Sequence, residues 1–217
     1  MGATGFPVSL VLFAMIAVFL VLRLRGILGR RTGFERVAVP PGRVVPGAGP
    51  VIEGHAEPIP GRPVPDPASP TGLVLARIAA ADRRFEPRAF LHGAENAFRL
   101  IVAAFAQGDR AALQPLLGPS IYAGFDQAIA AREQAGETQQ TEIKAIPTAT
   151  IEQANLSGTL ASIAVRFVSD QVTQTLGHDG KPVSGTEAVT EIADLWTFER
   201  DLAQPGPAWH LTDARAG

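Results

Sequence analysis

The sequence predicts an α+β domain in which helices come first and an antiparallel sheet follows. Three observations carry that prediction. Apolar residues recur at helical spacing between Phe90 and Ile129, they alternate at strand spacing from Ala161 to Phe167, and Asp179-Gly180 is a hairpin signal between two strand-like runs.

The first long helix presents Phe90, Ala94, Phe98, Ile101 and Phe105 on one stripe, with Glu95, Arg99 and Gln107 on the wet side. Gly108-Asp109 should end it and start the next, because Gly tolerates the left-handed conformation at a helix end and Asp accepts orphan N–H bonds at a start. A short amphipathic turn with Leu113, Leu116 and Leu117 follows. Pro119 suits the first turn of a third helix, in which Ile121, Phe125 and Ile129 recur every four residues. A layer this apolar needs a sheet to cover it. Ala161, Ile163, Val165 and Phe167 alternate with Ser162, Ala164 and Arg166, the period of a half-buried strand. His178-Asp179-Gly180-Lys181 predicts a type I′ hairpin into a second strand over Thr186 to Arg200, and a further strand is expected from Trp209 to Asp213.

Upstream of the domain the chain changes character twice. Phe6 to Leu22 carries no charge, and its 17 residues reach the short end of what spans a bilayer core. Arg23, Arg25, Arg30 and Arg31 follow it and no charged side chain precedes it, so the positive-inside rule predicts the N-terminus outside and the remainder in the cytoplasm. The basic start and small-x-small site of a cleaved signal peptide are both missing, which favours an uncleaved anchor over 1–32. Residues 33–72 then place prolines at 40, 41, 46, 50, 58, 60, 63, 65, 67 and 70. They read as a disordered linker that spans roughly 35 Å as a coil and about 120 Å extended. PxxP-type recognition is the alternative to a plain tether. The domain is expected at 73–217, membrane-tethered and facing the cytoplasm.

Composition removes several functions. With no Cys, thiolate nucleophiles, disulfides and Cys-based zinc sites are excluded. Lysine occurs only at 144 and 181 beside 17 arginines, a bias that fits a GC-rich bacterial source. Residues 1–72 hold seven basic residues against four acids, and residues 73–217 hold twelve against seventeen. An acidic domain on a basic stalk should not bind nucleic acid nonspecifically, since that affinity comes from phosphate neutralisation. His55, His92, His178 and His210 show no ligand spacing, and Gly47-Ala48-Gly49 lacks the lysine of a phosphate loop, so neither metal nor cofactor is expected.

Several blocks in order, FLHGAENAF, AFAQGDRAAL, LLGPSIYAGFDQAI with Arg132, RFVSDQVT, and Asp194 to Arg200 as DLWTFER, resemble the Tim44-like domain over about residues 73–213. That family is named for the matrix-side adaptor of the mitochondrial presequence-translocase motor and has relatives in α-proteobacteria. The chain departs from the family at Gln204-Pro205-Gly206-Pro207-Ala208-Trp209, where a polar Ser-x-Asp-Pro-Asn-Trp turn is usual, and in its apolar N-terminus. The resemblance implies a curved antiparallel sheet closed by helices into a nuclear-transport-factor-like or cystatin-like cone. It also implies translocase or Hsp-seventy-type chaperone partners and contact with anionic membrane lipid through the N-terminal helices. Arg77, Arg83, Arg84, Phe85 and Arg88 are the membrane-contact candidates, against the plainer reading of a helix docked on its own domain with its arginines solvated.

Such a cone encloses an apolar pocket that Phe98, Phe105, Tyr122, Phe125, Trp196 and Phe198 could line, to accept an acyl chain or apolar peptide; the same six are equally what a small core needs. Tyr122 and Trp196 keep a polar handle suited to a rim. Acid–base catalysis would have to use Tyr122, Asp126 or Asp194. Tyr122 and Asp126 are four apart on one helix, a local pair, and Asp194 with Arg200 on one strand face reads as a structural ion pair. No catalytic residue is therefore assigned. The expectation is a membrane-anchored, non-catalytic adaptor linked to protein translocation or membrane protein biogenesis at the bacterial inner membrane; the alternative is a tethered lipid- or apolar-peptide-binding domain.

Overall fold

The computed structural model describes residues 62–206 and 208–217. The anchor expected at 1–32 and the linker as far as residue 61 lie outside them. Four helices precede four strands: α1 (Pro70–Ala81), α2 (Pro87–Gln107), α3 (Arg110–Leu113), α4 (Pro119–Gln134), β1 (Thr138–Ser157), β2 (Leu160–Leu176), β3 (Pro182–Asp201) and β4 (His210–Ala216). The strands form one antiparallel meander in the order β1-β2-β3-β4. Among the described residues no helix is long and apolar enough to cross a membrane.

Each helix begins where a side chain or proline relieves the orphan N–H groups of its first turn. The Ser69 hydroxyl accepts from the Gly72 N–H at 3.0 Å, and the Glu86 carboxylate accepts from Arg88 and Ala89 at 3.0 and 2.6 Å, ahead of Pro87. Gly108 ends α2 at φ 71°, and the Asp109 carboxylate accepts from the Ala112 N–H at 3.0 Å, so the Gly-Asp pair stops one helix and caps the next. α4 has no side-chain cap. Its start is held by the Gly118 N–H donating to the Leu211 carbonyl at 2.8 Å, which ties it to β4.

Folded structure starts earlier than residue 73. The Arg62 guanidinium donates to Glu95 at 3.1 Å and to the Pro147 carbonyl at 2.8 Å, fastening the end of the proline-rich stretch to α2 and β1. Gly72 is required there: a Cβ at that position would stand 2.0 Å from the Asp66 carbonyl oxygen.

Two strand features differ from expectation. β1, twenty residues long, was not predicted, because register shifts at Ile143/Ala145, Ala145/Thr148 and Ile151/Gln153 break the two-residue alternation and Pro147 reads as a breaker. Proline is tolerated because β1 is an edge strand, and the bulges bend it. The β2–β3 loop is not a type I′ turn. Among the described residues no non-glycine has positive φ, so Asp179 does not adopt that conformation; within the loop Gly180 does, at 74°. Gly180 N–H donates to the Gly177 carbonyl at 2.9 Å and Gly177 N–H to that of Lys181 at 2.8 Å, which makes a three-residue loop with glycine in the left-handed position.

The core lies between the helices and one sheet face. Ala161, Ile163, Val165 and Phe167 point inward as their alternation predicts, facing Arg200, Phe198, Trp196 and Asp194 across the β2–β3 ladder.

Candidate functional site

Along this inner face α2 runs in a definite direction. Phe90 meets Phe198 at 6.1 Å, and Phe98 stacks on Phe167 at 4.5 Å and meets Trp196 at a tilt at 4.6 Å. The helix therefore travels from the Arg200 end of β3 towards Asp194 and beyond. Asp194 lies across from Phe167, at the level of Phe98; Phe105, seven residues and about 10 Å further along the helix, lies beyond it, past where Ser169 and Gln171 continue the inner face. This far half of the inner face is the candidate site.

The six predicted pocket aromatics divide between the two halves. Phe98, Phe198 and Trp196 are 0%, 2% and 5% exposed and closed over by one another and by Phe167. Phe105, Tyr122 and Phe125 remain half-buried, Phe105 meeting Phe125 edge-on at 4.9 Å. Ile143, Thr173, Thr190 and Ile192 of the adjoining sheet are also half-buried. At the rim Arg132 lies 5.1 Å from the Phe105 ring centre and donates to Gln139 and to the Phe105 carbonyl at 2.7 Å. Burial lowers the pKa of this guanidinium.

The floor is polar. Ser169 and Gln171 are 0% and 5% exposed, the Gln171 amide donating to the Ser169 hydroxyl at 2.8 Å. Asp194 pairs with Phe167 on one side and Ala216 on the other, so its side chain shares their face. Burial pushes its carboxyl up to about 6, and no neighbouring charge contributes.

The expected Asp194–Arg200 ion pair does not form. Six residues of β3 separate the two at roughly 20 Å, and Arg200 instead donates to Asp82 at 2.7 Å, the side chains being 6% and 10% exposed. The Asp82 carboxyl is held below the usual carboxylate range by the Arg84 N–H and then by Arg200. Asp126 bonds to Arg110 at 2.6 Å, and that guanidinium also holds Glu133 at 2.8 Å. Neither Asp126 nor Arg200 is thus free to serve a reacting group. Among the described residues no cluster of three His, Asp or Glu is placed to hold a metal.

Of the membrane-contact candidates, Arg77, Arg83, Arg84 and Arg88 are exposed. Phe85 turns inward, 5.9 Å from Phe90 and 5.8 Å from Trp209.

Ser169 and Gln171 were not singled out from the sequence, although they continue the inward parity of Ile163, Val165 and Phe167. Two polar residues extending an apolar alternation are the signal for a polar floor.

A family model described as the Tim44-like domain matches residues 71–216. No curated protein matches the chain. Among solved structures, the intermembrane space region of the chloroplast protein ARC6 is similar with a TM-score of 0.42 and 13% identity, over 58% of this chain and 95% of that one.

Proposed function

The chain belongs to the Tim44-like domain family, and from that premise we propose that it is a non-catalytic adaptor in protein translocation or membrane protein biogenesis at the bacterial inner membrane. The family match across residues 71–216 carries this reading. One ion pair supports it, since Asp126, an acid–base candidate, is committed to Arg110. The proposal includes a single-pass anchor within 1–32 with the C-terminal domain in the cytoplasm, and a cone-shaped sheet. Its partners are translocase or Hsp-seventy-type chaperone subunits, with anionic lipid met by Arg77, Arg83, Arg84 and Arg88. Affinity purification of the full-length protein in mild detergent, with mass spectrometry of bound proteins and lipids, tests it. Translocase or chaperone subunits should co-purify; their absence removes the adaptor role. Liposome flotation tests the lipid contact, which should weaken when the four arginines are replaced by glutamine.

The half-buried aromatics over a polar floor favour a second reading, a membrane-tethered domain that binds a lipid or apolar peptide without a translocase role. A stoichiometric lipid and no protein partner in the same purification would make it primary.

A further inference from the structure

We propose that the bulged stretch of β1, together with Glu95 of α2, is a docking site for an extended partner segment that carries an arginine among prolines, and that residues 62–71 hold this site in cis. The inference concerns the edge of the sheet and goes beyond both functional readings given above.

β1 stands at the end of the strand order, so one of its edges has no neighbouring strand among the described residues. Its register shifts leave Lys144, Ile146, Pro147 and Glu152 without a partner on β2. Three of these four offer their carbonyls to a single segment. The Arg62 guanidinium donates to the carbonyls of Ile146 and Pro147, the latter at 2.8 Å, and the Thr71 hydroxyl donates to that of Glu152 at 3.3 Å. Bulges break a ladder and re-aim groups. Here they present acceptors over about 20 Å of strand, and the segment meets them at both ends.

Glu95 completes the set. Its carboxylate accepts from Arg62 Nε at 3.1 Å, and its side chain is 17% exposed. A carboxylate beside two carbonyls suits a guanidinium, whose planar fork reaches several acceptors at once, better than the compact ammonium of lysine. Each of these acceptors is met by a side chain, so the docked segment needs no backbone N–H. The prolines at 63, 65, 67 and 70 are therefore compatible with docking, whereas an added strand would have to donate along the edge. The bend of the segment is internal to it: the Ala68 N–H donates to the Asp66 carboxylate at 2.7 Å, and the Ser69 hydroxyl to the Asp66 carbonyl at 2.6 Å.

The chain thus displays both a receptor and the chemistry that fills it. Because residues 62–71 run directly into α1, they reach the site at an effective concentration on the order of millimolar. A partner segment must displace them, which makes the contact autoinhibitory.

The test uses the full-length chain in lipid nanodiscs, with empty nanodiscs as the correction, and follows the fluorescence anisotropy of a labelled peptide with the sequence of residues 62–71. Arg62→Ala, which empties the guanidinium acceptors, should bind the peptide at least about tenfold more tightly than the wild type does. Replacing the peptide's arginine by glutamine should weaken that binding about tenfold. The difference should vanish when Glu95→Gln is added to Arg62→Ala, thermal melting reporting that both variants are folded. At higher peptide concentration the wild type should show the same preference for arginine, which tests the acceptors without any substitution. Equal affinity of the wild type and Arg62→Ala overturns the autoinhibition. No binding to Arg62→Ala, or a preference for arginine that survives Glu95→Gln, overturns the docking site.

Discussion

The two halves of the inner sheet face are built from one pair of strands and one helix, yet they differ in kind. Over Ile163, Val165, Phe167, Trp196 and Phe198 the face is closed, and α2 fills it with Phe90, Phe98 and Ile101. Beyond Asp194, which sits across from Phe167 at the boundary, Ser169 and Gln171 turn the floor polar, and the aromatics Phe105, Tyr122 and Phe125 of the helices beyond stay half-buried. The first half resembles an interior, where packing decides stability. At the boundary between them Asp194 has no ion-pair partner among the described residues and is raised by burial, an arrangement that costs stability.

Substitutions should separate the halves, and the largest effect belongs to the closed one. Phe98→Ala should cost about 4 kcal/mol in urea denaturation, because a fully enclosed ring leaves a cavity, whereas Phe105→Ala should cost about 1–2 kcal/mol. Equal losses would break the distinction. Next comes Arg200→Ala, which strands the Asp82 carboxylate in a buried position and should lower Tm by about 10 °C. Because Asp82 has a lowered pKa, the stability it contributes is present above the ordinary carboxylate pKa and is lost as pH falls through the folded value. Acid should therefore erase the difference between Arg200→Ala and the wild type.

A smaller, local effect is expected at Gly185 in the far reach of β3. Its φ is 86°, and a Cβ there would come 2.2 Å from the Thr173 carbonyl oxygen. Gly185→Ala should cost about 2 kcal/mol, seen in hydrogen exchange as faster opening of β2 and β3 beyond Gln171 with little change around Ile163. Smallest, and opposite in sign, is Asp194→Asn. The folded carboxyl titrates at about 6 against 3.8 when unfolded, so the wild type loses stability as pH rises across that interval. The asparagine variant should be more stable at pH 7 by about 1–2 kcal/mol and indistinguishable at pH 3. A gain at the boundary between the halves, set against losses inside the closed one, would sharpen the comparison most.

The closed half was the more legible in the sequence, for a physical reason. The stripe from Phe90 to Phe105 and the alternation from Ala161 to Phe167 each report a single buried face, and periodicity records little else. Gly108-Asp109 was equally readable, because the pair has few roles other than ending and capping helices. β1 was not readable: three register shifts and Pro147 destroy its period, and only pairing with β2 makes it a strand. The Asp194–Arg200 pairing failed because a shared face does not imply contact across six strand residues. Arg200 found Asp82 118 positions away in sequence, a partner that no local pattern signals. The floor was half visible, with Asp194 identifiable as ionisable and inward while the isolation that distinguishes it needed the whole fold.

The most direct test of where the closed half ends is a carbon-detected NMR titration of the Asp194 side-chain carboxyl in the full-length protein. A midpoint near 6 is predicted, from a buried carboxylate without a counter-charge. A midpoint at or below 3.8 would mean that Asp194 is solvated or paired, and the distinction between the two halves would not hold.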